Sequence, residues 1–350
     1  MPRPDTTSDL TTAPRSGPPS RRSAPTDSPS TDFPSPDLSS ADPPSADPPS
    51  AGRLSQWLRY SPAQPLFRAR AARRLAVLAY RRVTDRRRFG AQLDRLCRTA
   101  VPVSLRALEQ AVTEGRPLPP RSVLITFDDA DRGVLEHALP ALSARGLPAV
   151  AFVVTELVGT DRPSWRQEAA FLAAHGGRAR SLAARESGGL LAQLAALPDP
   201  DRRRSLHELR VSAHARPPGR PRLTPEDLRE LAAGEVAIGS QTLGDPELHR
   251  CDDATVRTEI VSAHRALTDW LGGAPTAFAY PGGRDEPRAA AVLRELGYRL
   301  GFLTDHRLSG LLPEEALRVS RLRVDTADGR DRFETVLSGL HPALHHWRGE

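Results

Sequence analysis

Lysine is absent from this chain of 350 residues: all 49 basic side chains are arginine, set against 43 acidic ones for a net charge of +6. The arginines sit among acidic partners in the same segments, and clusters such as Arg86–Arg88 and Arg202–Arg204 are scattered. A nucleic-acid footprint requires basic residues gathered on one face, so no nucleic-acid partner is expected. Cysteine is nearly absent as well. Cys97 and Cys251 alone cannot build a disulfide framework or a multi-cysteine zinc site, and two free thiols suit a reducing compartment. Long apolar runs are missing. The longest are Leu75–Tyr80, Ala149–Val154 and Ala169–Ala174, far short of the ~20 residues of a membrane span, so no transmembrane segment is expected. The patterns G-x-S-x-G, G-x-x-x-x-G-K-[ST], H-E-x-x-H and G-x-G-x-x-G do not occur, which leaves serine-esterase, P-loop, zincin and Rossmann readings without support.

Proline, by contrast, is abundant at 34 residues, with more than a third of them in the first fifty or so positions. Residues 1–52 are mainly Ser, Pro, Thr, Asp and Ala, with a tandem Ser-Ala-Asp-Pro-Pro at 40–44 and 45–49. Such a composition cannot bury enough apolar surface to offset its ordering entropy, and the segment reads as a disordered, partly polyproline tail. Residues 53–72 read as an Arg-rich linker or helix, 73–345 as the folded domain and 346–350 as a C-terminal tail. Arg21-Arg22 is followed by Ser-Ala-Pro-Thr-Asp where an export signal needs an apolar stretch. The expected location is therefore cytoplasmic.

From about Arg73 short apolar strands alternate with amphipathic helices. Strands are expected at 75–83, 101–103, 122–127, 149–155, 235–239, 276–280, 298–303 and 318–324. Helices are expected at 89–98, 105–114, from the first aspartates to near Gly146, through most of 166–215, and at 225–233, 253–270, 286–296 and 330–340. Thr224-Pro225-Glu226-Asp227 carries an N-cap, a proline at the first helical position and acidic first-turn residues, and Asp253 is expected to cap the helix that Gly272-Gly273 ends. Alternation of this kind predicts a parallel sheet with crossover helices, and the number of units fits a closed or nearly closed β/α barrel.

Function in such a barrel collects at the C-terminal ends of the strands, and Asp128 and Asp129 stand at one, after Val123-Leu124-Ile125-Thr126-Phe127. Adjacent carboxylates resist joint ionisation unless a cation compensates them. A site is one reading of the pair; a cap on the following helix is the other, and spacing alone does not separate them.

The residues around this pair resemble the polysaccharide deacetylases with a NodB homology domain, carbohydrate esterase family four. Thr126-Phe127-Asp128-Asp129 is similar to the family's first motif, T-F-D-D-G. Ile238-Gly239-Ser240-Gln241-Thr242-Leu243-Gly244-Asp245-Pro246 resembles I-G-[NS]-H-[ST]-x-x-H-P, and Phe278-Ala279-Tyr280-Pro281-Gly282-Gly283 resembles F-A-Y-P-x-G. Val77–Val83, Leu118-Pro119-Pro120, Arg321–Val324, Phe333 and Leu337–Leu340 extend the likeness over roughly 73–345. It implies a distorted α/β barrel and an N-acetylated glycan of the cell wall or a related polymer as substrate. It further implies Asp128 as general base, Asp129 and positions 241 and 245 as ligands of a divalent metal, commonly zinc, and the main chain at Tyr280–Gly282 as oxyanion donor. Arg81, Arg284, Asp285 and Trp165 are candidates for charge compensation or sugar contact.

The chain departs from the family at every motif histidine: Gln241 and Asp245 replace two, Arg81 stands where one branch has a third, and Ala130 replaces the glycine of the first motif. Asp129, Gln241 and Asp245 offer only oxygen ligands, better suited to magnesium, manganese or calcium than to zinc. Arg81 supplies fixed positive charge in place of a metal. The turn Gly244-Asp245-Pro246 suits a structural role for Asp245 equally well. His249, His341, His345 and His346 are the nearest candidates for a general acid, and Cys251 for a soft ligand or a small buried side chain. Two functions stay open. One is an N-deacetylase that hydrolyses the acetamide with metal assistance; the other is a catalytically degenerate deacetylase fold that binds glycan or a partner without turnover.

Overall fold

In the computed structural model, residues 64–129, 131–183 and 187–340 are described, all within one unit of the chain. The expected tails at 1–52 and 346–350, Ala130, and the histidines at 341, 345 and 346 lie outside the described residues. Strands β1 (Arg74–Tyr80), β3 (Ser122–Phe127) and β4 (Ala149–Val153) are buried along nearly their whole length. That is why they read as unbroken apolar runs: a parallel sheet covered on both faces has no solvent side to alternate toward. Strands β2 (Val101–Pro102), β5 (Val236–Ser240), β6 (Ala277–Ala279), β7 (Leu300–Phe302), β8 (Ser309–Gly310) and β9 (Leu322–Val324) complete a nine-stranded sheet. Its order is β7-β6-β5-β4-β3-β1-β8, with β2 on β3 and β9 on β1.

The sheet curls back on itself. Residue Val319 bridges to Phe302 of β7, and three residues later β9 pairs in parallel with β1, so the segment 319–324 spans the gap between the two ends. Phe152 of β4 and Phe302 of β7 touch across the interior, ring centroids 5.3 Å apart. With Leu75, Val77, Leu124, Val150, Ala277 and Ala279 they form the inner core, closed at the base by Leu105 and Leu108 of a helix over Leu105–Glu114. The opposite faces carry Leu78, Tyr80, Ile125 and Phe127, packed against Phe89, Leu93 and Leu96 of the helix Arg86–Thr99. A distorted, nearly closed β/α barrel results, as the strand alternation predicts.

Helices are numbered α1 (Gln64–Ala71), α2 (Arg86–Thr99), α3 (Leu105–Glu114), α4 (Leu139–Ser143, continuing a π turn at Val134–Ala138), α5 (Trp165–Ala174), α6 (Ser187–Ala196), α7 (Asp199–Ser212), α8 (Pro225–Ala233), α9 (Asp253–Leu271), α10 (Pro287–Glu295) and α11 (Arg330–Leu337). Thr224 caps α8 through a reciprocal box with Asp227, as its sequence dictates. Two expectations shift by local chemistry. Asp252, not Asp253, caps α9, because its carboxylate reaches the Thr255 N–H at 2.7 Å. The first strand ends at Tyr80 rather than Val83, and beyond it Arg81 and Arg82 pair with Asp129 and Asp131.

The segment between β4 and β5 is a helical insertion. Helices α5, α6 and α7 pack their own small core of Trp165, Ala169, Leu172, Leu190, Leu194, Leu206 and Leu209. Ser164 and Gln167 form a capping box at the start of α5, which fixes where Trp165 and Arg166 emerge. Among the described residues no helix is long and apolar enough to cross a membrane.

Candidate functional site

The C-terminal ends of the strands enclose a cleft of about 100 Å³ lined by Ala79, Arg81, Asp128, Asp129, Arg166, Gln241, Asp245, Tyr280, Gly282, Gly283, Thr304, Arg321 and Arg323. Of the larger cavities, two of about 700 and 480 Å³ lie against α1 and reach the N-terminal ends of β1 and β3, the face of a β/α barrel associated with stability rather than chemistry, and one of about 200 Å³ lies between α5, α7 and the Asp245 loop. The cleft thus gathers Arg81, Asp128, Asp129, Gln241, Asp245, Tyr280 and Gly282 from segments that the sequence keeps far apart.

Asp128 does not cap the following helical segment. Its Oδ1 accepts a 2.6 Å charge-assisted hydrogen bond from Nη1 of Arg321, and Asp131 instead accepts from the Gly133 N–H at 2.9 Å. Arg321 is almost wholly enclosed, its side chain 1% exposed. It spends its remaining donors on the Leu303 carbonyl, Thr126 Oγ1 and Thr304 Oγ1. Neither Arg81 nor Arg284 takes this place: Arg81 faces Asp129 at 3.6 Å, Arg284 is exposed outside the cleft, and Asp285 pairs with Arg318.

Asp129 adopts a left-handed backbone (φ 56°), as do Thr242 and Asp245 (φ 64° and 54°), a region where non-glycine residues carry strain. Gln241 ties Asp129 to Asp245, and Thr242 Oγ1 accepts from the Asp245 N–H at 3.0 Å. The Gln241 Oε1 accepts from the Asp129 N–H at 3.1 Å, while Nε2 donates to Asp129 Oδ1 at 2.8 Å and to Asp245 Oδ1 at 3.2 Å. The amide therefore turns its N–H groups toward the two carboxylates, and its oxygen is already taken. Asp245 Oδ2 accepts from Nη1 of Arg166, whose Nη2 reaches Glu247 at 2.8 Å. Burial pushes the Asp245 carboxyl up to about 6, opposed chiefly by Arg166.

These residues do not fit a divalent cation. A cation between Asp129 and Asp245 would meet N–H donors of Gln241 where it needs lone pairs, and a guanidinium already holds the outer oxygen of Asp245. Among the described residues no three His, Cys, Asp or Glu side chains gather as a metal cage. Cys251 adds no soft ligand: it is buried, its Sγ lies 3.5 Å from the Glu247 carbonyl, and burial pushes the thiol up to about 12. His249 lies 3.9 Å from Glu247, outside the cleft lining.

Two further expectations are redrawn by packing. Trp165 is 8% exposed, donates its indole N–H to the Asp245 carbonyl at 2.9 Å, and is flanked by the guanidiniums of Arg166 and Arg202 at 4.2 and 4.7 Å. The indole holds the Asp245 loop, and the residue lines a neighbouring cavity of about 200 Å³ with Arg162, Arg203 and Arg210 rather than the cleft itself. The Tyr280 ring packs with Phe278 in the core under α9 and α10, and its N–H is spent on the Phe302 carbonyl. Of the expected oxyanion donors, Tyr280 is thus occupied and Pro281 has no N–H, which leaves the Gly282 N–H. Nothing in the sequence points to Arg166, Glu247 or Thr304, and Arg323 is there only as part of the Arg321–Val324 segment. Arg321 stands in the segment that resembles the family's closing part, but nothing there marks it as the partner of Asp128.

The polysaccharide deacetylase family model matches residues 115–301. No curated protein matches. Among solved structures the chain is similar to IcaB from Ammonifex degensii, with 23% identity and a TM-score of 0.52 over 76% of this chain and 96% of that one. It is likewise similar to the PplD deacetylase from Streptococcus pyogenes, solved with acetate (16% identity, TM-score 0.53, 75% and 98% covered). The deacetylase domain of BpsB from Bordetella bronchiseptica gives 19% identity and a TM-score of 0.51 over 73% and 97%. The structural likenesses speak for the fold. The family match, which spans more than half of the sequence from just before β3 into β7, carries the conclusion: this chain belongs to the polysaccharide deacetylase family.

Proposed function

We propose that the protein binds an N-acetylated sugar of a glycan in this cleft without metal-assisted turnover, a degenerate deacetylase fold in which arginines carry the positive charge. The observation that supports it is the Gln241 amide, whose N–H groups bridge Asp129 and Asp245 where family members place a cation. Family membership supplies the glycan. The residues present can position an acetamide: the Gly282 N–H is a donor for its carbonyl oxygen, and Gly282 and Gly283, both at positive φ, let the ligand approach the backbone. Asp128 is an acceptor at the same wall, fixed by Arg321.

A second reading keeps catalysis, with Asp128 as general base on a water. The retained Asp128 and the Gly282 N–H favour it, and the acetate bound in the PplD structure is the product such a reaction would release. Water activation would then rest on Asp128 alone, because an arginine does not generate hydroxide as a metal does. The test is acetate release from chitooligosaccharides and peptidoglycan fragments, with chelator and with added zinc, cobalt or manganese, alongside a binding measurement on the same sugars. Binding with no acetate release is expected. Acetate release that chelator abolishes would overturn the degenerate reading; activity only after Arg81→His, Gln241→His and Asp245→His together would confirm it.

A further inference from the structure

Each carboxylate of the cleft has its own guanidinium: Asp128 has Arg321, Asp129 has Arg81, and Asp245 has Arg166, which Glu247 shares. One guanidinium is left over. Arg323 lines the same cleft, is exposed, and its side chain makes no hydrogen bond or ion pair among the described residues.

Strand geometry explains where it points. On β9, Leu322 and Val324 are buried in the outer core with α2 and α11, so residues 321 and 323 face the barrel interior. Arg321 reaches down to Asp128; Arg323, two residues further toward the C-terminal end, stands above it at the mouth. Its register partner on β1 is Ala79, whose methyl leaves the space beside the guanidinium open. Arg81 follows two residues after Ala79 and brings a second positive charge to the same rim. The two guanidiniums repel each other across the rim, and an anion between them would relieve that repulsion.

We infer that the mouth of the cleft is an anion subsite in which Arg323, assisted by Arg81, takes the carboxylate or phosphate of an acidic sugar. The inference rests on the glycan reading above and narrows it: the preferred ligand carries an oxyanion as well as its neutral hydroxyl and acetamide groups. A planar fork of N–H donors suits such a group bidentately.

The experiment is isothermal titration of the full chain with N-acetylglucosamine, N-acetylglucosamine 6-phosphate, glucuronate and inorganic phosphate, each at two salt concentrations. The wild type is expected to bind the acidic sugars at least about tenfold more tightly than N-acetylglucosamine, with an advantage that shrinks in salt. Arg323→Ala and Arg323→Glu should remove that advantage while retaining the folded circular-dichroism spectrum; Arg323→Lys should keep part of it. Whichever of phosphate or carboxylate binds more tightly identifies the oxyanion. Equal binding of the neutral and acidic sugars, or an advantage that survives Arg323→Ala, overturns the inference while leaving the glycan reading intact. Inorganic phosphate binding as tightly as the sugar phosphate, with the same dependence on Arg323, sustains the anion subsite and overturns the sugar reading. No binding of any probe overturns both.

Discussion

Arg321 and Asp128 meet at 2.6 Å across 193 residues of sequence, and this one ion pair ties the segment that closes the barrel to the strand end that carries the site. Removing the guanidinium strands the Asp128 carboxylate and leaves two threonine hydroxyls and a buried carbonyl short of a donor. Breaking a buried pair from one side costs about 3 kcal/mol or more. Arg321→Ala should therefore lower unfolding stability by about that amount. Asp128→Asn, which keeps an acceptor oxygen, should cost only about 1 to 2 kcal/mol. Urea denaturation checks both, and equal losses for the two variants would mean that the pair does not fasten the closure.

Gln241 gives a direct test of the metal question. Exchanging its amide for a carboxylate, Gln241→Glu, removes the N–H groups that bridge Asp129 and Asp245 and places a third negative charge between them. In chelator the variant should lose about 1 to 3 kcal/mol of stability. Added manganese should restore part of it, because three carboxylates now form an all-oxygen ligand set. Melting temperatures of both proteins with and without manganese are the readout. A wild type that gains as much from manganese as the variant does would show that Gln241 is a ligand after all.

The barrel was legible in the sequence because parallel strands buried on both faces announce themselves as short apolar runs, and helix α8 because Thr224 caps it where the chain says it must. The Asp pair was legible from its place after β3. The partners of that pair were not. Arg166 arrives on a helical insertion about 80 residues before Asp245, and Arg321 from the closing segment, so neither shares a local pattern with the carboxylate it neutralises. With arginine the sole basic residue type outside histidine, one guanidinium looks like another until the fold assigns it. Trp165 is a related case: its sequence position suggests sugar stacking, and only packing shows two guanidiniums over its ring and its place at a neighbouring cavity.

The loop that presents Gln241 and Asp245 is held from beneath by Glu259 of α9, which accepts from the Gly244 N–H at 2.7 Å and from Arg203 at 3.3 Å. Burial raises its pKa; the Gly244 hydrogen bond and Arg203 oppose this, and the charges of Asp199 and Glu156 add to it. The folded state therefore holds the Glu259 proton more tightly than the unfolded chain does. This group's contribution is most favourable below the unfolded carboxylate value of about 4.5 and is lost as pH rises through the folded value. Glu259→Gln keeps an acceptor for Gly244 and removes the titration. The variant should match the wild type near pH 4 and gain on it toward pH 7, as read from urea midpoints at each pH. A gap that widens toward acid instead would mean that the Arg203 pair outweighs burial.

Gly282 offers a way to disturb the cleft wall without replacing a charged residue. Its φ is 66°, and a Cβ built there would collide with the Glu247 carboxylate, which is itself held by Arg166. Alanine at this position pays the left-handed backbone penalty and must displace Glu247 from a site where little room remains. Gly282→Ala should therefore lower stability by about 1 to 2 kcal/mol. Because Arg166 serves both Glu247 and Asp245, moving one carboxylate disturbs the other and with it the Gln241 bridge. The loss of sugar binding should accordingly exceed what steric blocking at Gly282 alone explains, and an Arg166→Ala variant should weaken binding in the same way while leaving Gly282 free. Calorimetric titration of both variants decides the matter: weakened binding in Gly282→Ala with full affinity in Arg166→Ala would reduce the effect to sterics and remove the Glu247–Arg166–Asp245 chain from the account of the site.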